Sequence, residues 1–168
     1  RAQGGKRHTW CFHTQYNKDF HSNLRQTPPV AALKTYIEGV EHMKAVDFGL
    51  APGVLTTDYS CVGGIAQGVA GPVRVRTRLF GVEGLPLAVG QENEKGKLFR
   101  KDRAIQFLFV RKDGENLHSR WLHLIEPYGE QPILADAKEL PVADAENSAA
   151  LCVTTVAGRR DTMVYNDT

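Results

Sequence analysis

Cysteine is scarce in this chain of 168 residues, and its three copies, Cys11, Cys61 and Cys152, lie far apart. The number is odd and no CxxC pair occurs, so a disulfide framework is not predicted, although one isolated disulfide is left open. Cys11 and Cys152 lie in apolar runs, and we interpret both as buried thiols. The cysteine pattern therefore leaves the redox compartment open.

A strong charge of one sign and long apolar runs are lacking as well. The formal net charge is +2, which gives no argument for nucleic acid or an acidic membrane surface as a partner. No apolar run approaches the roughly 20 residues that a membrane-spanning helix needs, and no apolar stretch behind a charged start indicates a signal peptide. With 42% hydrophobic and 24% charged residues, the composition is typical of one globular domain.

The chain does contain many short runs of alternating or β-branched residues, separated by Gly, Pro, Asp and Asn. "HTWCFHT" (8–14) and "PVRVRTRLFG" (72–81) alternate, and "AIQFLFVRK" (104–112) is typical of a central strand. "SRWLHLIEP" (119–127) follows the turn "KDGEN", which predicts a hairpin with the run before it. A second hairpin is predicted within 150–167, around "GRR".

Two stretches do not show this pattern. In 31–48, the i+3 steps of apolar residues favour a helix, whereas Gly39 and the β-branched residues favour a strand, so the choice stays undecided. The stretch 129–149 is predicted to be an irregular segment that crosses between hairpins. The fold class expected is all-β, an antiparallel β-sandwich with at most one short helix.

The whole of 1–168 is expected to form a single β-sandwich region. The chain begins with Arg1 rather than Met and ends at "DTMVYNDT", directly after an apolar pair. From these ends we expect a fragment of a larger multidomain protein.

Two histidines lie close together near the start of the chain. On a regular strand, His8 shares a face with Trp10, whereas His13 shares the opposite face with Cys11, so the two histidines do not hold one metal jointly. His13 and Cys11 together could supply two ligands, but a metal site needs three or four, and no local spacing supplies the others. From the residues alone, a strand-end histidine that meets water is the favoured interpretation.

Two further groups of side chains suggest carbohydrate recognition. Arg74, Arg76 and Arg78 share one strand face and could bind carboxylates or sulfates of an acidic polysaccharide, although a solvated strand face is the commoner explanation. Trp121 and His123 share a face and could stack on a sugar ring and bind its hydroxyls, with core packing as the commoner alternative.

The sequence offers little for catalysis by itself. No Ser-His-Asp or Cys-His arrangement is apparent, and no pair of carboxylates is placed for acid–base chemistry. Tyr128 in "EPYGE" could act as a general acid or base, but a residue that caps a turn after a strand is the favoured interpretation.

Two stretches resemble a known family. "FVRKDGENLHSRWLHLIEPYG" (109–129) resembles the C-terminal β region of heparinase II/III-like polysaccharide lyases, where a strand, a Gly-Glu-Asn turn, a second strand and an "EPYG"-type ending recur. "RAQGGKRHTWCFH" (1–13) is similar to the "GG-x-x-H-x-(aromatic)-x-(aromatic)-H" strand of the same family, most of all in its alginate-lyase branch. The specific motifs cover about a fifth of the chain.

The resemblance implies a fold, an activity and partners. Such lyases join an N-terminal α/α toroid to antiparallel β-sandwich layers and cleave uronic-acid polysaccharides by β-elimination. Their catalytic Tyr, His and Asn come mostly from the toroid, which this chain lacks. The partners implied are therefore an acidic polysaccharide and an upstream α/α toroid domain or chain, without nucleic acid or membrane, at a periplasmic or extracellular location.

The resemblance also implies a metal ligand. The family has a His/Asp metal group in the sandwich, and the motif position that matches one ligand here is His13. The other ligands would precede Arg1, so no cofactor is expected in this chain alone, and zinc is expected only in the complete protein. Where many relatives carry His-Asp-Tyr, this chain has His8-Thr9-Trp10, so any role of that acidic position is lost.

The function expected is thus the non-catalytic β-sandwich portion of a polysaccharide lyase, inactive alone. A carbohydrate-binding or structural β domain without lyase activity is the alternative.

Overall fold

A computed structural model describes residues 2–14, 17–26, 43–62, 71–92 and 105–166. These ranges contain β-strands and no helix, which confirms the all-β class. In chain order the strands are β1 (Ala2–Gln3), β2 (Arg7–His13), β3 (Asn17–Ser22), β4 (Arg25–Gln26), β5 (Met43–Leu50), β6 (Val54–Cys61), β7 (Arg74–Phe80), β8 (Pro86–Glu92), β9 (Gln106–Asp113), β10 (His118–Ser119), β11 (Leu122–Tyr128), β12 (Leu134–Leu140), β13 (Ser148–Thr155) and β14 (Arg160–Asn166). Nothing in the described ranges is a helix long and apolar enough to cross a bilayer.

All strand pairs described are antiparallel and form four sheets. The largest sheet has the order β2-β9-β8-β5-β4, and a four-stranded sheet has the order β11-β7-β6-β3. A three-stranded sheet follows the order β12-β13-β14, and β1 pairs with β10. The undecided stretch 31–48 is strand from Met43 onward, and its residues 31–42 lie outside the described residues.

The four-stranded sheet contributes side chains to two cores, one on each face, because neighbouring residues of its strands point to opposite sides. Leu79 of β7 and Leu55 of β6 belong to a first core shared with the five-stranded sheet. The buried members of this first core are Ala51, Leu55, Leu79, Val82, Leu87, Leu108 and Val110.

The residues next in sequence point the other way. Phe80 of β7 and Val54 of β6 contact a second core shared with the three-stranded sheet. The buried members of this second core are Phe80, Ala137, Leu151 and Val153. The molecule is therefore an antiparallel β-sandwich whose layers succeed one another as five, four and three strands.

One predicted hairpin is confirmed and the other is wrong. β13 and β14 pair antiparallel around a turn in which Gly158 has a φ of 84°. In contrast, β9 pairs with β2 and β8, whereas β11 pairs with β7 in the next layer. After β9 the chain turns at Asn116, which has a φ of 49°, forms β10 beside β1, and crosses to the other sheet.

Two smaller predictions also need correction. The stretch 129–149 is not irregular throughout, because Leu134–Leu140 forms β12 against β13. Cys11 is exposed rather than buried, since its strand face points away from the first core, whereas Cys152 is buried as predicted. All three cysteines are free thiols.

Candidate functional site

The arginines Arg74, Arg76 and Arg78 lie on the face of the four-stranded sheet that points towards the second core. Alternation along β7 separates them from Thr77 and Leu79, as the sequence predicts. Antiparallel pairing places β6 on one side of β7 and β11 on the other. The register sets Arg76 between Asp58 and Glu126, and Arg74 between Ser60 and Tyr128.

Arg78 is buried in an ion pair. Its Nη1 donates to Glu126 Oε2 at 2.9 Å, and the two side chains are only 10% and 3% exposed. Glu126 Oε1 accepts the backbone N–H groups of Ile133 and Leu134, each at 2.7 Å. Arg78 therefore does not lie on a solvated strand face, which was the commoner explanation from the sequence. Instead, it anchors the start of β12 through Glu126.

Arg74 and Arg76 meet around one carboxylate, and with Asp58 and Tyr128 they form what we call the Asp58 cluster. Arg74 Nε donates to Asp58 Oδ1 at 3.1 Å, and Arg76 Nε donates to Asp58 Oδ2 at 3.0 Å. Tyr128 Oη donates to Asp58 Oδ2 at 2.6 Å and accepts from Arg74 Nε at 3.0 Å. Both guanidinium groups also lie over the Tyr128 ring, 6.0 and 5.6 Å from its centre.

The contacts fix the charges of the Asp58 cluster. Burial by itself would raise the pKa of Asp58, but hydrogen bonds from Tyr128 and Arg74, the Arg74 charge and the Arg76 hydrogen bond together lower it. Burial and the hydrogen bond to Asp58 raise the pKa of Tyr128. The carboxylate is therefore ionised and the phenol protonated at neutral pH, so the cluster holds two cations against one anion.

The cluster is partly open to solvent. The side chains of Arg74 and Arg76 are 30% and 28% exposed, and Asp58 is 16% exposed. In the described part of the chain, no partner is recorded for the terminal nitrogens of Arg76. A guanidinium that is held through Nε and has its two Nη groups available can bind a planar anion bidentately.

Trp121 and His123 point towards the first core instead of sharing an exposed face. The His123 ring meets Trp10 and Phe12 edge-on, at 5.0 and 4.9 Å between ring centres. Burial lowers the pKa of His123 from 6.5 to about 4, so the ring is neutral at physiological pH. Its Nε2 is buried without a hydrogen-bond partner among the described residues. His123 therefore packs in the core, which was the commoner alternative from the sequence.

Trp121 differs from His123 because one part of it borders a cavity. The indole packs against the first core and meets the His8 ring edge-on at 6.3 Å. A cavity of about 160 Å³ lies beside it. The lining residues are Gly81, Glu83, Leu85, Lys112, Ser119, Arg120 and Trp121.

His13 is exposed on the outer face of β2, opposite in direction to His8, as the alternation predicts. Its Nδ1 lies 3.1 Å from the carbonyl oxygen of Thr14 and donates to it, which leaves the lone pair on Nε2, the tautomer that suits a metal ligand. No group of three or more His, Cys, Asp or Glu that could hold a metal occurs in the described ranges. Among the described residues His13 thus lacks the further ligands that a zinc site needs, and its role as a zinc ligand stays a prediction.

Sequence reasoning identified the arginines but missed Asp58 and did not connect Tyr128 with them. Tyr128 ends β11, as the turn interpretation requires, yet its hydroxyl belongs to the Asp58 cluster. Asp58 lies on β6, the described strand that directly precedes β7, whereas Tyr128 lies on β11, much later in the chain. No local signal identifies either residue as a partner of the arginines. Binding of substrate by Arg74, Arg76, Arg78, Trp121 and His123 stays a prediction. Neither the protein-family models nor the curated protein sequences contain a match to this chain.

Proposed function

We propose that this chain is the non-catalytic β-sandwich portion of a polysaccharide lyase that acts on uronic-acid-containing polysaccharides by β-elimination. Within it, Arg76 and Arg74 bind a carboxylate of the acidic polysaccharide. The observation behind this proposal is the Asp58 cluster, which holds a surplus positive charge in place and in which two guanidinium nitrogens of Arg76 have no partner among the described residues.

The Asp58 cluster suits anion binding more than chemistry. A carboxylate that approaches Arg76 replaces water at the guanidinium, while Asp58 and Tyr128 keep the side chain in one orientation. Preorganisation of this kind reduces the entropy lost on binding. β-Elimination also needs a base for the C5 proton and an acid for the leaving oxygen. In this proposal an upstream α/α toroid supplies both, and the parent protein acts in the periplasm or outside the cell.

Binding is tested by isothermal titration with alginate and heparan-type oligosaccharides. The chain is expected to bind, and Arg76→Ala is expected to weaken affinity about tenfold or more, because charge-assisted bonds of about 1.5–3 kcal/mol are lost. Arg76→Lys keeps the charge but loses the planar fork, so an intermediate affinity is expected.

The matched control is Arg159→Ala, because Arg159 makes an exposed ion pair with Asp161 and its side chain is 76% exposed. This variant is expected to bind as the unaltered chain does. Equal losses in the two variants, or absence of binding by the unaltered chain, would contradict the proposal. Ultraviolet absorbance of the unsaturated uronate product tests whether this chain catalyses β-elimination. Strong turnover by this chain alone would contradict the proposal that it does not.

A carbohydrate-binding domain without lyase activity is the second candidate, and the cavity beside Trp121 favours it. The Trp121 side chain lines this cavity together with Lys112, Arg120 and Glu83, so an aromatic group and polar groups for a sugar lie close together. In that case Trp121→Ala, rather than Arg76→Ala, is expected to abolish glycan binding in the same titration.

A further inference from the structure

The double glycine at the start of the chain shapes a turn that reaches back to a histidine. Gly4 and Gly5 have φ values of 81° and 78°, a region that side chains disfavour. The Gly4 N–H donates to the Leu117 carbonyl at 2.8 Å, and the Leu117 N–H donates to the Gly5 carbonyl at 3.2 Å. This pairing continues the β1–β10 ladder, in which Ala2 faces Ser119.

The turn directs the Gly4 carbonyl at His8. His8 Nε2 lies 2.5 Å from that oxygen, and since a carbonyl only accepts, Nε2 carries the proton. In the neutral ring Nδ1 then has a lone pair, and it lies 2.8 Å from Ser119 Oγ, which donates to it. His8 and Ser119 are 9% and 5% exposed, so both bonds are shielded from bulk water.

These two hydrogen bonds have the arrangement that activates a serine in hydrolases. A nucleophile is recognised by a hydrogen bond to a base whose other side is oriented by a third group. Here the serine is Ser119, the base is His8, and the Gly4 carbonyl takes the place that a carboxylate has in a Ser-His-Asp triad. No local sequence pattern indicates this pair, because 111 positions separate its members.

Ser119 also borders a space where a substrate could lie. It lines the cavity of about 160 Å³ together with Lys112, Arg120 and Trp121. The lining carries two cations and the carboxylate of Glu83; Arg120 pairs with Glu139, and Lys112 donates to the His118 carbonyl. The remaining N–H groups of Lys112 are those that can stabilise negative charge on a substrate oxygen. The small volume suits a short acyl group rather than a long chain.

We propose that the chain, which takes no part in β-elimination, has a separate esterase site: Ser119 is a nucleophile activated by His8, and the cavity takes a short-chain carboxylic ester, such as an acetyl ester of a sugar hydroxyl. Ser119 Oγ bonds to the ester carbonyl carbon while its proton passes to His8 Nδ1. The carbon–alkoxide bond then breaks, and the alcohol leaves with the proton from His8. Water, its proton taken by His8, attacks the acyl-serine, and the carboxylic acid leaves as the proton returns to Ser119.

A fluorophosphonate probe tests the nucleophile directly, because it forms a stable bond to an activated serine and releases fluoride. The folded chain is incubated with the probe, and the adduct is mapped by peptide mass spectrometry. A single adduct on Ser119 is expected. Labelling of another residue instead, or a complete lack of labelling, would overturn the proposal without reference to any variant.

Variants test the role of each group. Ser119→Ala is expected to lose the adduct, and His8→Gln is expected to slow labelling about a hundredfold or more, because the base is removed. Ser148→Ala is the matched control, because the Ser148 hydroxyl donates to Asn166 within the β13–β14 hairpin, remote from His8 and Ser119. Unchanged labelling is expected for this variant. Labelling that persists in Ser119→Ala contradicts the assignment, as does an undiminished rate in His8→Gln. Hydrolysis of p-nitrophenyl acetate by the same proteins is expected to follow the same order.

Discussion

At the scale of single residues, His123 places an ionisable ring among aromatic side chains. Trp10 and Phe12 meet its ring edge-on, and its Nε2 is buried without a partner among the described residues. Protonation in this setting would bury a charge without compensation, which is why burial lowers the pKa to about 4. The folded chain therefore binds fewer protons at this position than the unfolded chain does in mildly acid solution.

This difference gives the stability a definite dependence on pH. Unfolded His123 titrates near 6.5 and folded His123 near 4, so its contribution is fully present above pH 6.5 and is lost as the pH falls towards 4. Between these two values, protonation of His123 is expected to lower the free energy of unfolding by about 1 kcal/mol for each unit by which the pH falls. Urea denaturation at pH 7 and at pH 5 measures the change.

His123→Phe supplies the comparison for that measurement. Phenylalanine fits among aromatic rings and does not titrate, so the variant is expected to lose less stability than the unaltered chain on going from pH 7 to pH 5. The same loss in both proteins would show that His123 does not cause it.

The sequence predicted which residues share one face of a strand, but it did not predict which side chains they contact. Alternation along one strand correctly separated Arg74, Arg76 and Arg78 from their neighbours and His8 from His13. Which face becomes buried depends on the strands and layers that pack against it, and the alternation along one strand does not identify these. Asp58 reaches the arginines from β6 and Tyr128 from β11, so the Asp58 cluster exists only after the sheet has formed.

At the scale of elements, Glu126 links β7, β11 and β12. It pairs with Arg78 on β7, belongs to β11 itself, and accepts two backbone N–H groups at the start of β12. Glu126→Ala leaves a buried cation and two N–H groups without their acceptor, so a loss of about 3–5 kcal/mol of unfolding free energy is expected. Denaturant titration measures it.

Asp161→Ala is the control for this change, because Asp161 pairs with an exposed Arg159 and such pairs contribute about 1 kcal/mol or less. If Glu126→Ala cost no more than the control, the buried pair would have no part in holding β12 on the sheet.

The same scale shows why β12 and the predicted β9–β11 hairpin were misjudged. "LADAKEL" has little β-branched character and buries only Ala137 well, so its strand form depends on pairing with β13 rather than on local preference. The turn after β9 has ordinary hairpin residues, but the chain leaves it through β10 and enters another layer. Local turn chemistry predicts a reversal and does not determine which sheet receives the next strand.

At the scale of the whole molecule, the four-stranded sheet joins two cores. Leu79 and Phe80 are neighbours on β7, and each is at most 2% exposed, one in the first core and one in the second. The many short alternating runs predicted a sandwich, but they did not predict β12 or the third layer that it forms with β13 and β14. A middle sheet with side chains in both cores couples the outer layers mechanically, and the three layers are expected to unfold together.

This coupling can be measured because the only two tryptophans, Trp10 and Trp121, both pack against the first core. Phe80→Ala removes a side chain from the second core and is expected to cost about 3–5 kcal/mol. If the layers unfold as one unit, tryptophan fluorescence and far-ultraviolet circular dichroism are expected to shift to the same lower denaturant midpoint. Val156→Ala, at a side chain that is 68% exposed, is expected to leave both midpoints in place. A fluorescence midpoint that stayed fixed while the dichroism midpoint fell would mean that the three-stranded layer unfolds separately from the other two.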